Sequence, residues 1–157
     1  MPTFAIGFKC QPADAGTEPL RMEFLGSMAA ELLAGESSAL YTRLYESGLI
    51  DADFSVDYER MKGLALLEAA GDSDDPDAVL EALLEEAQRI ARTGIDRAQF
   101  ARLKKSMLGR RLRELDSFEN TCYRICAFHM DGVDYYDYPA AFDTVTPEDV
   151  EQFLANV

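Results

Sequence analysis

The apolar residues change their spacing along this chain, and that change constrains the fold more than any other feature. In residues 3–10, Phe4, Ile6 and Phe8 alternate with small or polar neighbours, the period of a strand with one buried face. From Leu20 the spacing turns to three and four, through Phe24, Leu25, Met28, Leu32 and Leu33. That is a long helix, with Thr17 as its N-cap, Pro19 in the first turn and Gly35 as its stop. Ser37 or Ser38 opens a short helix through Leu40, Leu44 and Tyr45, closed at Gly48. Phe54, Val56 and Tyr58 then return to period two. Residues 62–70 fit a helix by their Ala and Leu content. Their position and length favour a strand instead, paired with the previous one through a turn near Arg60–Lys62.

Everything after this point reads as helix. Asp75 and Pro76 start one helix that Gly94 ends, with Val79, Leu80, Leu83, Leu84, Ala87 and Ile90 in its buried stripe. Asp96 and Gln99 resemble a capping box for the next. A further helix spans 118–130, and an aromatic one, Tyr135–Phe142, is broken or entered at Pro139. Thr146 caps the last, with Pro147 in its first position. The order predicts an α+β domain, a mostly antiparallel sheet covered on one face by helices. Residues 1–157 form one domain by length, and a chain stopping just after its last helix is expected to lack a terminal strand.

Composition removes several functions. Fifteen Lys and Arg against 29 Asp and Glu give a net charge of −14. A nucleic-acid backbone or an anionic membrane surface needs the opposite sign. No apolar run approaches the roughly 20 residues of a membrane span, and no leader segment is visible at the start. Three cysteines, Cys10, Cys122 and Cys126, read as reduced thiols in a cytoplasmic setting. The single histidine, His129, makes any two-histidine zinc motif impossible in this chain.

Four groups of residues deserve a chemical reading beside a structural one. Cys122, Cys126 and His129 lie at i, i+4 and i+7, on one helical face, and with a fourth ligand would suit zinc. The alternative is two small buried cysteines and a histidine at the edge of the core. Arg102, Lys104, Lys105, Arg110, Arg111 and Arg113 give one helix a basic solvent face, able to grip an acidic partner or to pair with the protein's own carboxylates. The acidic run Asp72–Asp77 lacks the spacing of a calcium loop and fits a helix N-terminus better. Tyr135, Tyr136, Tyr138 and Phe142 offer either a peptide-binding patch or a helix packed on the core with hydroxyls in solvent.

The segment Gly35-Glu36-Ser37-Ser38-Ala39-Leu40-Tyr41-Thr42-Arg43-Leu44-Tyr45-Glu46-Ser47-Gly48-Leu49-Ile50 carries a family resemblance. So do the opening strand Phe4–Phe8, the strand Phe54–Tyr58 and the late Val145-Thr146-Pro147-Glu148-Asp149-Val150. Together they resemble the C-terminal domain of a pitrilysin/insulinase-type (M16) zinc metallopeptidase, nearest to its bacterial cytoplasmic branch. The resemblance implies two homologous α+β halves. The N-terminal half holds the zinc with an HxxEH motif, and the C-terminal half closes a chamber over a peptide substrate. In active members that C-terminal half supplies an Arg and a later Tyr near the scissile bond. Aligned on Gly48, those positions fall here on Leu44 and Asp51. Arg43 is one residue off, a rotation of roughly 100° on a helix, so neither role transfers. Arg43 remains the candidate substrate-binding residue.

The expected function is therefore a non-catalytic, chamber-forming, peptide-holding domain, with addition of a strand to a sheet edge as one way to grip substrate. It is expected to be a fragment of a longer two-domain protein and inactive alone, with its partner an N-terminal peptidase half or a homologous subunit. A homodimer is the other association to weigh, through a surface that normally meets the other half. A free-standing peptide- or protein-binding module on the same fold is the alternative. An independent enzyme built on Cys122, Cys126 and His129 ranks last.

Overall fold

A computed structural model describes residues 2–12, 18–61 and 63–157. The elements follow in the order β1 (Thr3–Cys10), α1 (Glu18–Ala34), α2 (Ala39–Glu46), β2 (Ser55–Met61), β3 (Leu64–Asp72), α3 (Pro76–Thr93), α4 (Arg97–Glu114), α5 (Phe118–Met130), α6 (Tyr138–Asp143) and α7 (Pro147–Leu154). A 3₁₀ turn, Tyr135–Asp137, leads into α6. The proposed cap Thr17 and the turn residue Lys62 lie outside the described residues.

The sheet is antiparallel throughout, in the order β1-β3-β2. The ambiguous segment is thus the central strand, where its apolar content has a physical reason: Ala65, Leu67 and Ala69 are fully buried against the helices. β2 and β3 form a hairpin whose turn holds Gly63 at φ +76°, a left-handed conformation that glycine adopts without strain. β1 and β2 flank β3, joined through α1 and α2, so both are edge strands.

α1 lies over β2 and is the hub of the core. Its buried face includes Leu20, Phe24, Leu25, Met28, Leu32 and Leu33, the stripe expected from their spacing. The approach to β2 is close. A Cβ at Gly26 would lie 2.2 Å from Cγ of Tyr58, so only glycine fits there. α7, α6 and α3 complete the packing around α1.

The caps follow the local sequence. Ser38, Asp75, Ser117 and Thr146 each accept a backbone N–H from the first turn of α2, α3, α5 and α7. The capping box expected at Asp96 is absent in that form: Asp96 accepts from Ala98 N, and the full box forms instead between Thr146 and Asp149. The aromatic segment packs into the core, with Tyr135, Tyr138 and Phe142 buried and Tyr136 exposed. The hydroxyl of Tyr135 is buried as well, contrary to the expectation that it reaches solvent.

Candidate functional site

A cleft of about 490 Å³ opens between α1, the outer edge of β2, and the arm formed by α4 and α5. Its floor begins with the alternation of β2. Val56, Tyr58 and Arg60 turn toward α1, while Asp57 and Glu59 are exposed on the open face of the sheet. Tyr58 is held by its contact with α1 and by an edge-on contact with Phe153, ring centroids 5.9 Å apart. Burial pushes its phenol up to about 12, with the charge of Cys10 adding to the effect and that of Arg60 opposing it.

The far wall is built by ion pairs. Glu23 on α1 accepts from Arg111 Nη2 at 2.9 Å and from Arg124 Nη1 at 3.1 Å. Glu114 accepts from Arg111 Nη1 at 3.0 Å and lies 3.2 Å from Arg124 Nη2. Two carboxylates and two guanidiniums thus close a ring that ties α1, α4 and α5 together. Arg111 also lies over the ring of Phe24, at 5.3 Å. At one end of the cleft Arg60 pairs with Asp131 at 2.9 Å and stacks over Phe128.

Part of the basic face of α4 pairs with the protein's own carboxylates, one of the two readings its sequence left open, and part of it is not on the solvent side. Arg111 is buried, and Lys104 turns back to donate to the carbonyls of Asp143 and Val145. Arg110 faces Glu31 at 3.7 Å. Arg102, Lys105 and Arg113 stay exposed. The helix carries more charge than a solvent face needs because part of it neutralises the protein's own carboxylates.

The other candidates fall elsewhere. Arg43 is exposed on α2 and does not line this cleft. Leu44 is a core residue, 4% exposed, and Asp51 serves a turn by accepting the N–H of Asp53. Cys122 is half-buried, while Cys126 and His129 are exposed, so the cysteines are not the buried pair that packing alone would favour. Among the described residues no group of three or more His, Cys, Asp or Glu could hold a metal ion. The residues present do not fit a zinc centre. The sequence offered no signal for the cleft itself, since Glu23 and Arg111 stand 88 residues apart.

Among the described residues, three antiparallel strands with helices on one face define an α+β domain. Residues 1–107 match the family model described as the Peptidase M16 inactive domain, and the chain belongs to that family. It is 29% identical, over 98% of its length, to the uncharacterized zinc protease YmfH of Bacillus subtilis, and spans 36% of that protein. The fold matches that of an M16-like protein from Alicyclobacillus acidocaldarius, with a TM-score of 0.85 at 23% identity over 98% of this chain and 37% of the other. A protease from Helicobacter pylori superposes with a TM-score of 0.76 at 17% identity, again over 98% of this chain and 37% of the other. The chain therefore spans little more than a third of the length of these relatives. No helix among the described residues is long and apolar enough to cross a membrane.

Proposed function

We propose that residues 1–157 form one non-catalytic domain of a two-half zinc metallopeptidase, where they make a wall of the chamber that encloses a peptide substrate. The observation that carries this reading is the match to the inactive-domain family in a chain about a third as long as its zinc-protease relative. The zinc then belongs to an N-terminal half supplied by the same parent chain or by a homologous subunit. The cleft beside β2 supports peptide holding, because it lies along an unpaired strand edge and has the volume of an ordinary ligand site. Leu112, Leu115, Phe118 and Tyr123 are exposed on the α4–α5 arm, which supports contact with another domain. Arg43 is available on α2 to a peptide approaching that side. Three free cysteines support a reducing, cytoplasmic setting.

The test is to produce this chain and the N-terminal half of the parent separately and together. Hydrolysis of an internally quenched peptide is then followed, and zinc is measured by elemental mass spectrometry. The expected result is cleavage only when both are present, with zinc near one per complex and near zero on this chain. Cleavage by this chain alone, or full activity of the other half without it, would overturn the reading.

A further inference from the structure

We propose that the outer edge of β1 meets the same edge of a second copy of this chain, in a two-fold dimer with one continuous six-stranded sheet. β1 lies on the opposite side of the sheet from the cleft, and among the described residues it pairs only with β3. Its inner side is fully used. All eight residues have partners on β3, and the carbonyl of Pro2 extends the ladder by accepting the N–H of Ser73 at 3.1 Å. The outer side is open and its sequence does not guard it. Free edges are blunted by charge, proline or a bulge. β1 has no proline within it and one charge, Lys9, near its end, while Thr3, Ala5 and Gly7 are small and exposed. The face turned toward the helices is incomplete as well. Ile6, Phe8 and Cys10 are only partly buried, whereas their partners on β3, Ala69, Leu67 and Ala65, are fully buried.

The occupant is a second copy because this strand is complementary to itself. A two-fold axis through Ile6, perpendicular to the sheet, sets two copies antiparallel and keeps their helix-facing residues on one side. Phe4 then faces Phe8 of the second copy, and Ile6 faces its own counterpart. The partly covered apolar residues of both strands become one stripe of cross-strand pairs, the outer two aromatic. On the open face Ala5 meets Gly7 and Thr3 meets Lys9. Thr3 is paired with Asp72 on β3, so Lys9 of the second copy comes two strand spacings from Asp72, roughly 10 Å between Cα atoms. Two extended side chains span that distance. Neither Lys9 nor Asp72 has an ion partner in its own chain among the described residues, and the dimer supplies the pair twice. Glu68, beside Gly7 on β3, looks across to Ala5 and Ala70 of the second copy, so no carboxylates are brought together. A shift by two residues keeps the faces matched but takes Lys9 away from Asp72, so charge selects this register. The net charge of −14 on each copy opposes association at long range. Salt near 0.15 M confines that repulsion to about 8 Å. The cleft and the α4–α5 arm stay free in this dimer, so it stands apart from the peptide-holding reading.

Sedimentation velocity of the full chain at that salt, over a wide range of concentration, tests this together with amide exchange. The expected result is a monomer–dimer equilibrium in which exchange within 3–9 slows as the dimer forms. Ala5 is exposed and Gly7 has open space for a side chain. The double variants Ala5→Lys, Gly7→Lys and Ala5→Glu, Gly7→Glu should therefore keep the melting temperature of the monomer. Each sets like charges opposite one another twice across the axis and should weaken its own dimer at least tenfold. Mixing the two should restore association as a heterodimer, because every facing pair then has opposite signs. A chain that stays monomeric throughout, or a dimer with no protection in 3–9, overturns the proposal. So does a dimer that both variants keep, or a mixture that stays apart. An intact parent that protects 3–9 without dimerising overturns it too, since a segment of the parent then covers this edge.

Discussion

Asp149 shows how one carboxylate serves two contacts at once. Its Oδ2 accepts from the backbone N–H and hydroxyl of Thr146, at 2.8 and 2.9 Å, and its Oδ1 meets Arg21 at 2.8 Å. Partial burial raises the Asp149 carboxyl, but the Thr146 N–H and hydroxyl and the Arg21 guanidinium outweigh it and hold it below its ordinary 3.8. A carboxylate depressed in the folded state stabilises the fold at pH above that ordinary value. The contribution fades as pH falls from about 4 through the folded value. Thermal melts between pH 2.5 and 6 should therefore show a falling acid limb, and the Asp149→Asn variant should flatten it. Thr146-Pro147-Glu148-Asp149 was legible in the sequence as a helix start, because a cap is decided within one turn of chain. The bond to Arg21 was not, since it joins α7 to α1 across most of the chain.

Among the elements, α4 departs most from its sequence pattern. Its residues 102–113 read as a solvated basic face, yet Arg111 is 9% exposed and bridges Glu23 and Glu114. Removing one partner of a buried pair leaves the other charge desolvated, at roughly 3–5 kcal/mol for a fully buried case. Here Glu23 and Glu114 are partly exposed and keep Arg124, so Arg111→Ala should cost less, about 2–3 kcal/mol. Arg111→Met, which restores the stem over Phe24, should recover part of that loss. Urea unfolding of the three proteins measures both effects. β3 is the opposite case: its Ala and Leu content left helix and strand both open, and pairing with strands on each side decided it.

At the scale of the whole molecule, the exposed apolar residues of the α4–α5 arm bear on how the domain meets its surroundings. Phe118 is 84% exposed and Tyr123 74%. An arm that packs on the other half of a peptidase should lose affinity when these are made polar. Phe118→Ser with Tyr123→Ser should weaken association with the N-terminal half at least tenfold, measured by isothermal titration calorimetry, and leave the melting temperature of the isolated chain nearly unchanged, since both side chains lie mostly in solvent.

The sequence by itself determined the succession of periods, the helix caps and turns, the α+β class and the impossibility of a two-histidine zinc site. Each of these depends on residue identity or on neighbours within one or two turns. Tertiary structure alone decided that β3 is central, that Arg111 of α4 and Arg124 of α5 close a ring with Glu23 and Glu114, and that a cleft runs along the free edge of β2. Those features join residues tens of positions apart. Their energy comes from burial and pairing between elements, which leave no periodic trace in any one segment.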